Sequence, residues 1–273
     1  AGAAEATPPS ARKRRPRHSS PSTVSAVLKV LFLFPDGRPS IANRATLAMV
    51  ATLPRHGVDA VACFLGEGPL VSVSRDELGI ATLLFGSTEG AVSGRQARGA
   101  LEPVLRGASG NLVHAVGAAA HLVAAGVARR VGVPAVWSQY GAASLRDLVQ
   151  LRAALAPSAL ILAASSVTAE RQRRVNPRRC PVEFFPPGVG IPEEAPAARR
   201  ARARQALGLD EDGFVAGWLA GAGPADTALR AAASLCHARP HARVLLIDDP
   251  LLPADPTRLP PIRALAAALG IGD

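Results

Sequence analysis

Few side chains in this chain have the type and spacing for chemistry, and most of those lie beside glycines. Pro35-Asp36-Gly37-Arg38-Pro39-Ser40 follows an apolar run and precedes a helical pattern; Gly221-Ala222-Gly223-Pro224 stands the same way after residues 214–219. Glycine lets a ligand approach the backbone, and a helix N-terminus presents unsatisfied N–H groups, so Gly37, Ser40, Gly221 and Gly223 are candidates to hold a phosphate. Neither segment completes G-x-G-x-x-G or a Walker loop, and both also read as ordinary loops of an α/β sheet. Asp226 would cap the second helix and repel a phosphate. His114 and His121 lie seven residues apart, on roughly one helix face, with no Cys, Asp or Glu nearby to complete a metal set. Cys236-His237 with His241 has the same defect, so no metal is expected. H-E-x-x-H, G-x-S-x-G and C-x-x-C are all absent from the sequence.

The elements that must position these residues are legible. Apolar strand runs fall at 27–34, 58–64, 80–85, 111–115, 134–138, 159–163, 182–185, 214–219 and 242–247, with a helical stripe over 41–55 and a basic helix over 195–207. Gly57-Val58, Gly79-Ile80, Gly132-Val133, Gly208-Leu209 and Gly270-Ile271 each close a helical segment and lead into an apolar residue. Helix and strand alternating through short links predict an α/β fold with a mostly parallel, doubly wound sheet. Strands within 27–190 suffice for one complete Rossmann-like domain. Residues 191–273 supply only a partial second one, which reads as truncated. Residues 1–26 read as a disordered basic tail in which Arg12-Lys13-Arg14-Arg15-Pro16-Arg17 offers a polyanion or membrane-surface contact.

Composition sets the outer bounds. The 273 residues are 48% hydrophobic and 19% charged, enough apolar content for a buried core. The net charge is +10, and only Lys13 and Lys29 are lysines. A basic surface suits an anionic substrate or lipid, but one Tyr, two Trp and no aromatic-interleaved basic stretch argue against nucleic acid. The longest nearly apolar run, 115–128, is too short to span a bilayer. Three scattered cysteines, Cys63, Cys180 and Cys236, fit a reducing cytoplasm rather than a disulfide framework.

Read in order, several segments resemble a bacterial glycosyltransferase family 4 (group 1) protein. They are Lys29-Val30-Leu31-Phe32-Leu33-Phe34, Asn43-Arg44-Ala45-Thr46-Leu47-Ala48, Phe64-Leu65-Gly66-Glu67-Gly68-Pro69-Leu70, Leu112-Val113-His114-Ala115, Gly132-Val133-Pro134-Ala135-Val136-Trp137, Ala163-Ala164-Ser165-Ser166, Phe185-Pro186-Pro187-Gly188-Val189 and Leu245-Leu246-Ile247-Asp248-Asp249-Pro250. The resemblance covers 27–273 and rests on order and spacing rather than on one motif. It implies a GT-B fold, with two Rossmann-like domains across a cleft. It also implies a nucleotide-sugar donor, a carbohydrate or lipid-linked acceptor of the envelope or exopolysaccharide type on the N-terminal side, and no cofactor beyond the donor. The location it implies is cytoplasmic, with peripheral contact at the inner membrane face. By the resemblance, His114 and Tyr140 stand at the sugar, and Asn43, Arg44, Ser165, Pro187 and Gly188 join the glycine loops in binding.

The sequence also departs from that pattern. Ser40-Ile41 replaces a frequent Gly-Gly pair, Tyr140 replaces a His, and Gly190 replaces an Asp. The segment Gly217-Trp218-Leu219-Ala220-Gly221-Ala222-Gly223-Pro224-Ala225-Asp226 carries neither the Arg nor the Lys that meets the donor phosphates in the family. Each lost element of charge stabilisation commonly costs about 10²- to 10³-fold in rate. Two expectations therefore stand together: a hexosyltransferase, or a relative that binds a ligand or partner without turnover.

Overall fold

A computed structural model describes residues 27–86, 93–107, 112–141, 147–175, 180–188, 194–219, 225–247 and 259–271. The tail, Gly190, Gly221 and Gly223 lie outside the described residues. In order, the first half contains β1 (Leu28–Phe34), α1 (Ile41–Val50), a 3₁₀ turn (Leu53–His56), β2 (Val58–Phe64), α2 (Pro69–Ser72) continued by a π turn (Val73–Glu77), β3 (Ala81–Leu84), α3 (Gly94–Gly107), β4 (Leu112–Val116) and α4 (Gly117–Val131). There follow β5 (Ala135–Gln139), α5 (Leu148–Leu155), β6 (Leu160–Ala163), α6 (Ser166–Val175), β7 (Val182–Phe184), α7 (Pro196–Ala206), β8 (Val215–Leu219), α8 (Ala225–Ala238), β9 (Arg243–Ile247) and α9 (Leu259–Ala268).

The first seven strands form one sheet in the order β3-β2-β1-β4-β5-β6-β7, every pairing parallel. β8 and β9 pair, also in parallel, as a separate sheet. The order reverses between β1 and β4, so a crevice opens there at the strands' carboxyl ends. The α/β expectation therefore holds, and all five helix-closing glycines take positive φ, from 62° at Gly208 to 81° at Gly132. The helix expected over 41–55 is shorter: α1 ends at Val50, and Pro54, at the start of the 3₁₀ turn, supplies no N–H to continue it.

Right-handed crossovers decide which helix covers which face. α1 packs Leu47 and Val50 against Val30, Phe32, Phe34, Phe64 and Val116 on one face. On the other face α3 and α4 cover Leu31, Leu33 and Val113, while α5 and α6 cover Trp137, Ile161 and Ala163. Glu102 of α3 ties these helices together, accepting hydrogen bonds from Arg106 at 2.9 Å and from Arg130 of α4 at 2.8 Å. Both guanidinium groups hold its carboxyl below the usual range. His114 and His121, expected on one helix face, lie on opposite faces of the sheet. His114 sits within β4 against Phe32, and His121 of α4 stacks on Trp137 with its ring centroid at 4.8 Å.

Candidate functional site

The loop after β1 is built from within. Ser40 caps α1, its Oγ accepting from the Asn43 N–H at 3.0 Å. Asn43 is 1% exposed, and its Nδ2 donates to the Asp36 carbonyl at 3.1 Å and the Arg38 carbonyl at 2.9 Å. The Gly37 N–H donates to the Gly66 carbonyl at 2.9 Å, and the Gly37 carbonyl accepts from the Leu70 N–H at 2.9 Å. Gly37 thus locks the β1 loop onto the β2 loop. Ser40 Oγ and Asn43 Nδ2 bond within the loop itself, Asn43 Oδ1 has no partner among the described residues, and Arg44 continues α1 by donating its N–H to the Ser40 carbonyl at 2.9 Å.

A second group of candidates converges on a cavity of roughly 380 Å³ on the α1 face of the sheet. Ala45, Thr46, Ala48 and Met49 of α1, with Thr52 just after it, form one wall. Ser138 comes from β5 and Tyr140 from just after it, Leu162 from β6 and Ala164 from just after it, and Phe185, Pro186, Pro187 and Gly188 from the segment after β7. Strand alternation explains the selection: Ser138 and Leu162 are register partners on this face, while Trp137, Ile161 and Ala163 point into the opposite core. The Tyr140 hydroxyl lies 3.1 Å from Thr46 Oγ1, so β5 and α1 are tied across the cavity. Burial raises the Tyr140 phenol above its ordinary range, with the Thr46 contact opposing, so it stays protonated at neutral pH.

His114 reaches the cavity only through Ser138. It is 5% exposed, and its Nε2 lies 2.8 Å from Ser138 Oγ. Burial pushes its pKa down to about 4, so at pH 7 it is a neutral imidazole that orients a hydroxyl. Ser165 caps α6, its Oγ accepting from the Thr168 N–H at 3.1 Å and donating to Thr168 Oγ1 at 2.9 Å. Of the expected residues, Tyr140, Pro187 and Gly188 therefore share one cavity with His114 behind it. Gly37, Ser40 and Asn43 build the neighbouring loop, and Ser165 caps a helix. Thr46 and Ser138 were not singled out from the sequence. Only their places in a helical stripe and at a strand end, facing Tyr140, could have marked them. Among the described residues no cluster of His, Cys, Asp or Glu could hold a metal, and no helix is long and apolar enough to cross a membrane.

No protein-family profile matches the chain, and no curated protein sequence matches it. Solved structures do. HepE from Anabaena, in complex with UDP and glucose, superposes with a TM-score of 0.71 at 19% identity, over 90% of this chain and 67% of that one. A glycosyltransferase from Rickettsia africae gives 0.67 at 11% identity, over 90% and 66%. The lipopolysaccharide outer core galactosyltransferase WaaB gives 0.58 at 12% identity, over 90% and 66%. The chain thus spans about two thirds of the length of these structures, and it shares with them the α/β fold of GT-B glycosyltransferases.

Proposed function

We propose that this chain is a glycosyltransferase of the family 4 type that takes a nucleotide-sugar donor. Residues 27–190 form its acceptor-side domain and 191–273 belong to its donor-side domain. The observation that carries this reading is the parallel β3-β2-β1-β4-β5-β6-β7 sheet with a ligand-sized cavity beside the ends of β5, β6 and β7. HepE, which shares the fold, is solved with UDP-glucose. Tyr140, Thr46 and Ser138 bind the acceptor by hydrogen bonds, and His114 positions Ser138. Gly221 and Gly223, outside the described residues, are the sequence's candidates to meet the donor phosphates. Transfer breaks the bond between the anomeric carbon and the diphosphate oxygen and forms one to the acceptor hydroxyl, whose proton leaves with the diphosphate or to solvent.

A second reading, binding without turnover, is favoured by one feature: residues 217–226 contain no cation to neutralise the departing diphosphate. Equilibrium binding and turnover of UDP-glucose by the full chain separate the two. Both readings expect saturable binding. Turnover near the enzymatic norm of about 10 per second supports the transferase, and binding with turnover absent supports the second reading. Absence of binding to any nucleotide sugar overturns the transferase reading and leaves, of the second, only a partner of another kind.

A further inference from the structure

We propose that the cavity beside α1 takes a compact, uncharged, largely apolar molecule that offers one strong hydrogen-bond donor, a phenol. The proposal deepens the transferase reading and rests on it for the phenol's role as acceptor, but not for the binding.

The hydrogens left for a ligand can be counted. Four hydroxyl-bearing side chains line the cavity: Thr46, Thr52, Ser138 and Tyr140. Thr52 spends its hydrogen on the Met49 carbonyl at 2.7 Å. Thr46 and Tyr140 spend one of theirs on the bond between them at 3.1 Å. Ser138 keeps its hydrogen only if His114 Nε2 carries the proton of their 2.8 Å bond. At most two side-chain hydrogens thus remain, while each of the four oxygens retains accepting capacity. The backbone adds little. Pro186 and Pro187 have no N–H, and the N–H groups of Phe185 and Ala164 donate to the Ala163 and Gln139 carbonyls, each at 2.9 Å.

This balance selects among ligand chemistries. A phosphate or carboxylate only accepts, and finds few donors here. None of the described lining residues carries a charge, so an anion would also lie desolvated without a counter-ion. A bare sugar bears oxygen on almost every carbon and would press most of it, unpaired, against Ala45, Ala48, Met49, Leu162 and Phe185. A phenol suits the site because its O–H is a stronger donor and a weaker acceptor than that of an aliphatic alcohol. Its ring meets apolar walls, among them Phe185 and the two prolines after it. A cavity of roughly 380 Å³ has room for a pair of fused rings. In the transferase reading the phenolic oxygen attacks the anomeric carbon, and the bond from that carbon to the diphosphate oxygen breaks. The phenolic proton leaves with the diphosphate or to solvent.

The test titrates β-naphthol, its methyl ether, β-naphthoate and glucose into the full chain at neutral pH, read by ligand-observed NMR. The ether keeps the rings but cannot donate, and the naphthoate keeps them and adds a charge. β-Naphthol should bind about fivefold or more tightly than the ether, the usual worth of one hydrogen bond, and at least about tenfold more tightly than the naphthoate or glucose. Ala48→Trp fills the cavity from the exposed side of α1 and removes β-naphthol binding. Leu162→Trp does the same from the sheet, should the first variant disturb α1, and circular dichroism verifies the fold of each. Equal affinity for β-naphthol and its ether overturns the proposal. So does glucose or naphthoate binding as tightly as β-naphthol, or β-naphthol binding that persists in both folded variants. UDP-glucose binding is measured on the same unsubstituted protein. β-Naphthol binding that obeys the variants while UDP-glucose does not bind supports the cavity's specificity and overturns the transferase reading. UDP-glucose binding with no preference for β-naphthol over its ether overturns the proposal and leaves the transferase reading standing.

Discussion

At the scale of single residues, the two histidines in the sheet's cores are the most sensitive groups. His114 and His121 are almost wholly buried, and burial lowers each pKa from an ordinary 6.5 to about 4. His121 Nε2 lies 2.9 Å from Ser158 Oγ, and its Nδ1 has no partner among the described residues. The unfolded chain binds protons at both groups near pH 6.5, and the native chain does so only near pH 4. The stability these groups confer is complete above pH 6.5 and is lost as pH falls from 6.5 towards 4, by on the order of 3 kcal/mol each at most. Urea unfolding measured across that range should show the midpoint dropping. His121→Gln, which cannot titrate there, should flatten the drop by about half. The role of His114 was partly legible in the sequence, which marks a histidine at a strand end. Its partner was not, because Ser138 lies 24 residues away and meets it only through the register of β4 with β5.

At the scale of elements, the loop between β1 and α1 depends on one amide. Asn43 Nδ2 satisfies two backbone carbonyls from a buried position. Asn43→Ala should cost about 1–3 kcal/mol by leaving two part-buried acceptors without the amide that holds them. The loss should appear as faster amide hydrogen exchange at residues 36–40 before it appears elsewhere. Asn43→Asp, which keeps the shape but cannot donate, should cost as much. The elements themselves were largely readable: β2 has the expected bounds, and the other strands of the large sheet shift by a residue or so at their ends. Continuous apolar runs and glycine closures are strong local signals. The function of Asn43 was not readable in this way. A polar residue in the first turn of a helix looks alike whether it faces a ligand or folds back on its own loop. Tertiary packing alone distinguishes the two, and here Asn43 stands over Asp36 and Arg38.

At the scale of the whole molecule, the sheet order places the loops after β1 and β2 and the hydroxyl-lined cavity at one end of the strands, and the contact between those two loops fixes their relation. A Cβ on Gly37 would meet Gly68 N at 2.8 Å, and one on Gly68, whose φ is 155°, would meet Gly37 carbon at 2.3 Å. Backbone lies against backbone, so no side chain can rotate to relieve either clash. Gly37→Ala and Gly68→Ala should each lower the melting temperature by several degrees, on the scale of about 1–3 kcal/mol. Once one substitution has parted the loops, much of the room the other requires already exists, so the double variant should be less destabilised than the two single effects added. A double-mutant cycle by thermal denaturation measures that shortfall, and strict additivity would show that the loops move independently. The consequence is evolutionary. The two glycines form an unequal epistatic pair: a lineage that loses Gly68 is released from much of the backbone clash at Gly37, while one that loses Gly37 still holds Gly68 at a φ of 155° that favours glycine.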